Sequence, residues 1–76
     1  MTSQTVRDLE ALRAELANGR TLYQALNVTL LSSPRRVAAL RSLIAASHLR
    51  EPNFHTLKGR KATELVEYAI SRARSA

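Results

Sequence analysis

Lys58, Arg60 and Lys61 stand together in "KGRKATELVEYAI", directly ahead of an apolar-periodic run that reads as a helix. A helix N-terminus carries a partial positive charge and four N–H groups without intrahelical partners, so anions are favoured there and cations are not. The chemistry that three cations at such a place would perform is anion binding: free N–H groups, a glycine at position 59 that admits close approach, and positive charge to neutralise a phosphate or carboxylate of a partner. Part of the cluster also has a local use. Arg60 and Lys61 fall four and three residues before Glu64, an arrangement worth about 0.2–0.5 kcal/mol on a helix surface.

A second basic group lies in "SSPRRVAALRSLIAAS". Arg35 and Arg36 follow Pro34 at the start of a helical segment, and Arg41 lies farther along it. Stepping 100° per residue puts Val37, Leu40, Leu43, Ile44 and Ser47 on one arc, the expected core stripe. The opposite arc carries Arg35, Ala38, Ala39, Arg41, Ser42, Ala45 and Ala46. Small side chains let another backbone come close, so this face suits either a nucleic-acid groove, with the arginines on phosphates or base edges, or a helix-packing or dimer face centred on Ala38, Ser42 and Ala45.

Catalysis is not expected. The sequence has no Gly-x-Ser-x-Gly elbow, no phosphate-cradling glycine loop and no cysteine, and its acidic residues are not arranged as a catalytic pair. His48 and His55 have no cysteine or carboxylate pair beside them to complete a metal site, and surface or capping roles are expected for both. No metal or other cofactor is therefore expected. Tyr23, Phe54 and Tyr68 are too few and too scattered for a base-stacking platform, which disfavours single-stranded RNA.

The charge is unevenly placed. Residues 1–18 hold Arg7 and Arg13 against Asp8, Glu10 and Glu15, while residues 19–76 hold ten cations against Glu51, Glu64 and Glu67. The formal net charge is +6 and the isoelectric point near 11.2. That balance fits a nucleic-acid binder, DNA more than RNA, or a module that docks on an acidic protein surface. Lys58 and Lys61 are the only lysines, so the charge is mostly guanidinium, whose planar fork suits bidentate phosphate or carboxylate recognition. A charge of this size also serves simple solubility.

Positioning these groups falls to four helical segments, near residues 5–17, 22–28, 34–47 and 61–74. In the first, Val6, Leu9, Leu12 and Leu16 recur at helical steps, Thr5 and Asp8 have cap spacing, and Asn18-Gly19 supplies a stop. The second opens on Thr21 and Gln24, spaced as a capping box, with Leu22, Ala25 and Leu26 as its stripe. Pro34, with Ser33 ahead of it as cap, starts the third. Glu51-Pro52-Asn53 makes a turn, Phe54 and Leu57 pin the loop to the core, and Ala62, Leu65, Val66, Ala69, Ile70 and Ala73 form the last stripe.

The expectation is an all-α fold: one compact domain over residues 1–76, with its second and third helices open to a helix-turn-helix-like arrangement. If the second helix stops at Asn27, six residues separate it from Pro34, longer than the three or four usual in that motif. With no signal-peptide pattern and no membrane-length apolar run, a cytoplasmic protein is expected. At this length a single core is marginal, and a homodimer would supplement it. The functional expectation is a non-enzymatic basic binding protein. Its first form is a DNA-binding transcriptional regulator or accessory factor using Arg35, Arg36, Arg41, Lys58, Arg60 and Lys61. Its second is an adaptor or inhibitor that applies the same face to an acidic protein.

Overall fold

The computed structural model describes residues 4–30, 33–47 and 56–75, the side chain of Ser33 excepted. Four helices form: α1 (Gln4–Ala17), α2 (Leu22–Thr29), α3 (Ser33–Ala46) and α4 (Gly59–Ser75). They pack into an all-α globule, with α1 and α4 as its main pair, α2 laid on α1, and α3 against both α4 and α1.

Each helix forms where its apolar spacing and its ends permit. In α1, Val6, Leu9, Leu12 and Leu16 are all buried. The helix ends where Gly19 adopts a left-handed φ of +85°, with the Gly19 N–H donating to Leu16 O at 3.0 Å. Thr21 and Gln24 make the expected capping box: the Gln24 N–H donates to Thr21 Oγ1 at 3.1 Å, and the Thr21 N–H donates to Gln24 Oε1 at 3.0 Å. Leu22, Ala25, Leu26 and Leu30 then fill the space beside α1. Burying each large aliphatic side chain of this set contributes about 1.5–3 kcal/mol before chain entropy is counted.

The two ends of the α1–α4 pair show their sense. At one end the Leu22 N–H donates to Leu57 O at 2.8 Å and Thr21 bridges antiparallel to Lys58, just past the C-terminus of α1 and just before α4. At the other, Arg74 reaches Glu10 at 3.5 Å. Helix α4 therefore runs antiparallel to α1, with Ala62, Val66, Ala69 and Ile70 buried between them and Leu65 and Ala73 half-buried at the margins.

Three sequence expectations are corrected. Val37 and Ile44 do not face the core; they are 42% and 51% exposed, while Ala39, Leu43 and Ala46 are buried. The core face of α3 is thus turned by about 100°, one residue's step, from the apolar stripe. The reason is close approach: alanine at 39 and 46 lets the α3 backbone settle near its neighbours, and Arg35, on the same face, ties down to α1. Thr5 is not a cap, because α1 already includes Gln4 and the Asp8 carboxylate is used elsewhere. Finally, α2 continues to Thr29, whose hydroxyl donates to Ala25 O at 2.7 Å, so only three residues separate it from α3. Pro34 sits in the first turn of α3, where its missing N–H costs nothing. The expectations for His48, Glu51, Pro52, Asn53, Phe54, His55 and the Ser33 cap lie outside the described residues. Leu57 does pack against the core.

Candidate anion-binding surfaces

Two helix starts meet at the α1–α2 turn. The Thr21–Lys58 bridge sets the N-terminus of α4 beside that of α2. The two ends are satisfied differently. In α2 the capping box occupies the Thr21 and Gln24 N–H groups and Leu57 O takes that of Leu22. Helix α4 has no acidic residue in its first turn. It opens instead on Gly59, at φ +66°, in space so open that a Cβ there would meet nothing within 4 Å.

Four cations surround this junction. Arg20 Nε pairs with Glu15 at 2.8 Å, and Arg60 Nε pairs with Glu64 at 3.1 Å. The Arg60 side chain is 91% exposed, so its pair is the weak surface kind, worth under about 1 kcal/mol. Lys58 and Lys61 are exposed and make no ion pair among the described residues. Arg20 was not singled out by the sequence, since its place here depends on the turn at Gly19. The junction can hold an anion by its charge and by the positive end of the α4 dipole.

The arginines of α3 are placed differently. Arg35 donates from Nε to Asp8 Oδ2 at 3.2 Å and from Nη2 to Oδ1, and Gln4 Nε2 adds a bond to Oδ1 at 2.9 Å. Asp8 is buried, yet its carboxyl is held below the ordinary range: the hydrogen bond from Arg35 outweighs the burial that opposes ionisation. The same bond raises Arg35 above its usual value. One sequence signal existed for this pair, because Asp8 borders the Val6–Leu9–Leu12 stripe where a carboxylate needs a partner.

Arg36 is held as well. Its Nη1 donates to Asn27 Oδ1 at 2.9 Å and reaches Leu30 O at 3.4 Å, and its guanidinium lies 5.6 Å from the centre of the Tyr23 ring. It thereby places positive charge at the C-terminal end of α2, where the helix dipole favours it. Arg41 is exposed, with no ion pair among the described residues.

The structure therefore does not gather the six expected cations into one patch. Lys58 lies just past the C-terminus of α1, whereas Arg35 is held at Asp8, nine residues back from that end and about 14 Å along the helix. The small-residue face is divided too. Ser42 and Ala45 line an open notch of about 180 Å³ against Ala69, Arg72 and Ala73 of α4, and Ala38 is half-buried. Of the small residues of α3, Ala39 and Ala46 are buried in the core, whereas Ala45 stays exposed. Among the described residues, no three His, Asp or Glu side chains gather as metal ligands, and no helix is long and apolar enough to cross a membrane.

No family model, curated protein or solved structure gives a significant match to this chain.

Proposed function

We propose that the protein is a non-catalytic DNA-binding accessory factor that grips the phosphate backbone with Lys58, Lys61, Arg60 and Arg20. One observation carries this reading: two lysines with no carboxylate partner among the described residues stand where the N-termini of α2 and α4 converge. Helix dipoles and the two lysines there add with the same sign, which favours an anion beyond the Glu15 and Glu64 carboxylates that pair with Arg20 and Arg60. The absence of any Asp or Glu between Glu15 and Glu51 leaves nothing in α2 or α3 to repel a duplex.

The three-residue connector between α2 and α3 has the length of a helix-turn-helix turn. Each of these helices is buried mainly against α1 or α4, however, and among the described residues Arg36 links them, to Asn27 and over the Tyr23 ring. With Arg35 and Arg36 engaged internally, contact to phosphate is a better assignment for this surface than base reading. The factor is accordingly proposed to be tolerant of sequence.

The test is fluorescence anisotropy of a labelled generic duplex at two salt concentrations, with the wild type and the Lys58→Ala/Lys61→Ala variant. Binding that weakens with salt, and a log–log slope smaller by about 2 in the variant, is the expected result. No binding at low salt, or an unchanged slope, overturns it.

A further inference from the structure

We infer that the outward face of α3 is a docking surface for an acidic amphipathic helix of a partner protein. Val37 and Ile44 are 42% and 51% exposed, seven residues apart on one face, about 10 Å along the axis. Leu40 lies half-buried beside them, as the floor between two raised apolar side chains. The spacing i, i+7 is the one through which helices recognise each other's apolar stripes.

Charge selects the occupant. Arg41 flanks the Val37–Ile44 pair on one side, and Arg36 stands on the other, fixed by Asn27 and stacked on Tyr23. No carboxylate occurs in α2 or α3. A partner helix with leucines in its centre and glutamates along its edges would bury Val37 and Ile44 and pair with Arg41. A second copy of this chain does not fit, because two α3 faces would bring Arg41 against Arg41 with no acid to separate them. A duplex fits poorly as well. Interfaces with DNA are polar and densely cationic, whereas the centre of this face is apolar and, among the described residues, Arg41 is its one cation without an ion pair or side-chain hydrogen bond.

The surface is distinct from the lysine junction, so it can be tested separately. The full-length ¹⁵N-labelled protein is titrated with a synthetic helix of about 18 residues, five turns, bearing leucine at alternating three- and four-residue steps and glutamate elsewhere. The controls are the same peptide with lysine for glutamate, and a DNA duplex. The acidic peptide is expected to shift amide resonances around Val37, Arg41 and Ile44. Ile44→Glu and Arg41→Glu, both at exposed positions, should each weaken it by about tenfold or more while the melting temperature stays near that of the wild type. Lys58→Ala/Lys61→Ala should leave peptide binding in place, which separates this surface from the DNA grip. The inference is overturned by no shifts at millimolar peptide, by shifts confined to Lys58–Lys61, by equal binding of the lysine peptide, or by a duplex that perturbs the α3 face instead.

Discussion

Arg35 of α3 closes on the buried carboxylate of Asp8 in α1 through two hydrogen bonds, Nε to Oδ2 at 3.2 Å and Nη2 to Oδ1, across 27 residues of sequence. The two partners are unequal. Asp8 is 3% exposed, whereas the Arg35 side chain remains about half in solvent. Removing Arg35 strands a carboxylate with Gln4 as its remaining donor among the described residues; removing Asp8 lets Arg35 rejoin water. Arg35→Ala is therefore expected to lower the melting temperature more than Asp8→Asn. An NMR titration should show the Asp8 carboxyl moving upward in Arg35→Ala, as burial then acts unopposed. Equal effects of the two substitutions would contradict this inequality.

The same pair sets an acid limit. Asp8 has its carboxyl depressed in the folded chain, so the stability it contributes is fully present above the unfolded value near 3.8 and is lost as pH falls through the folded value. Chemical denaturation of the wild type should show stability declining below about pH 4. Asp8→Asn should be less stable at neutral pH and have a shallower acid slope.

Gly59 is the residue on which the chain enters α4. Its φ of +66° is left-handed, and the space around it is open, so only the backbone conformation resists a side chain. Gly59→Ala should cost about 1–2 kcal/mol and Gly59→Asn less, since asparagine tolerates that region. Thermal melts of the two variants measure the difference; equal cost would point to a contact rather than a conformation.

Lys58 and Lys61 separate binding from stability. Both are exposed beside helix N-termini that disfavour cations, so replacing both with alanine should leave stability within about 0.5 kcal/mol of the wild type or slightly above it. A large loss of stability would show that the lysines hold the fold together.

The orientation of α3 can be checked by packing. Ala39 is fully buried and Ile44 half exposed. Ala39→Leu should overpack the α3 contact and cost about 1–3 kcal/mol, whereas Ile44→Ala should stay within about 0.5 kcal/mol. The apolar stripe read from sequence alone predicts the reverse order.

Local rules were enough for much of this protein. The helical steps of Val6, Leu9, Leu12 and Leu16, the Thr21–Gln24 capping box, Gly19 as a stop and the Ala62–Val66–Ala69 stripe all act within one or two turns, and each appears in the fold as the spacing implies. The all-α class and four helices follow from these. The cations at Lys58, Arg60 and Lys61 were legible as a local violation of helix electrostatics.

Tertiary contact decided the rest. Helix α3 has apolar side chains on one arc and small ones on another, and both arcs satisfy a helix; only the fit against α1 and α4 chooses the small one, because alanine permits the closer approach. The fates of Arg35 and Arg36 were set by Asp8 and by Asn27, Leu30 and Tyr23, partners that no local spacing announces. The neighbourhood of Lys58 likewise depended on a bridge to Thr21, 37 residues away, which joins two helix ends that the sequence holds apart. Residue types and periods act over a turn of helix, whereas which charges meet is settled by how whole helices pack.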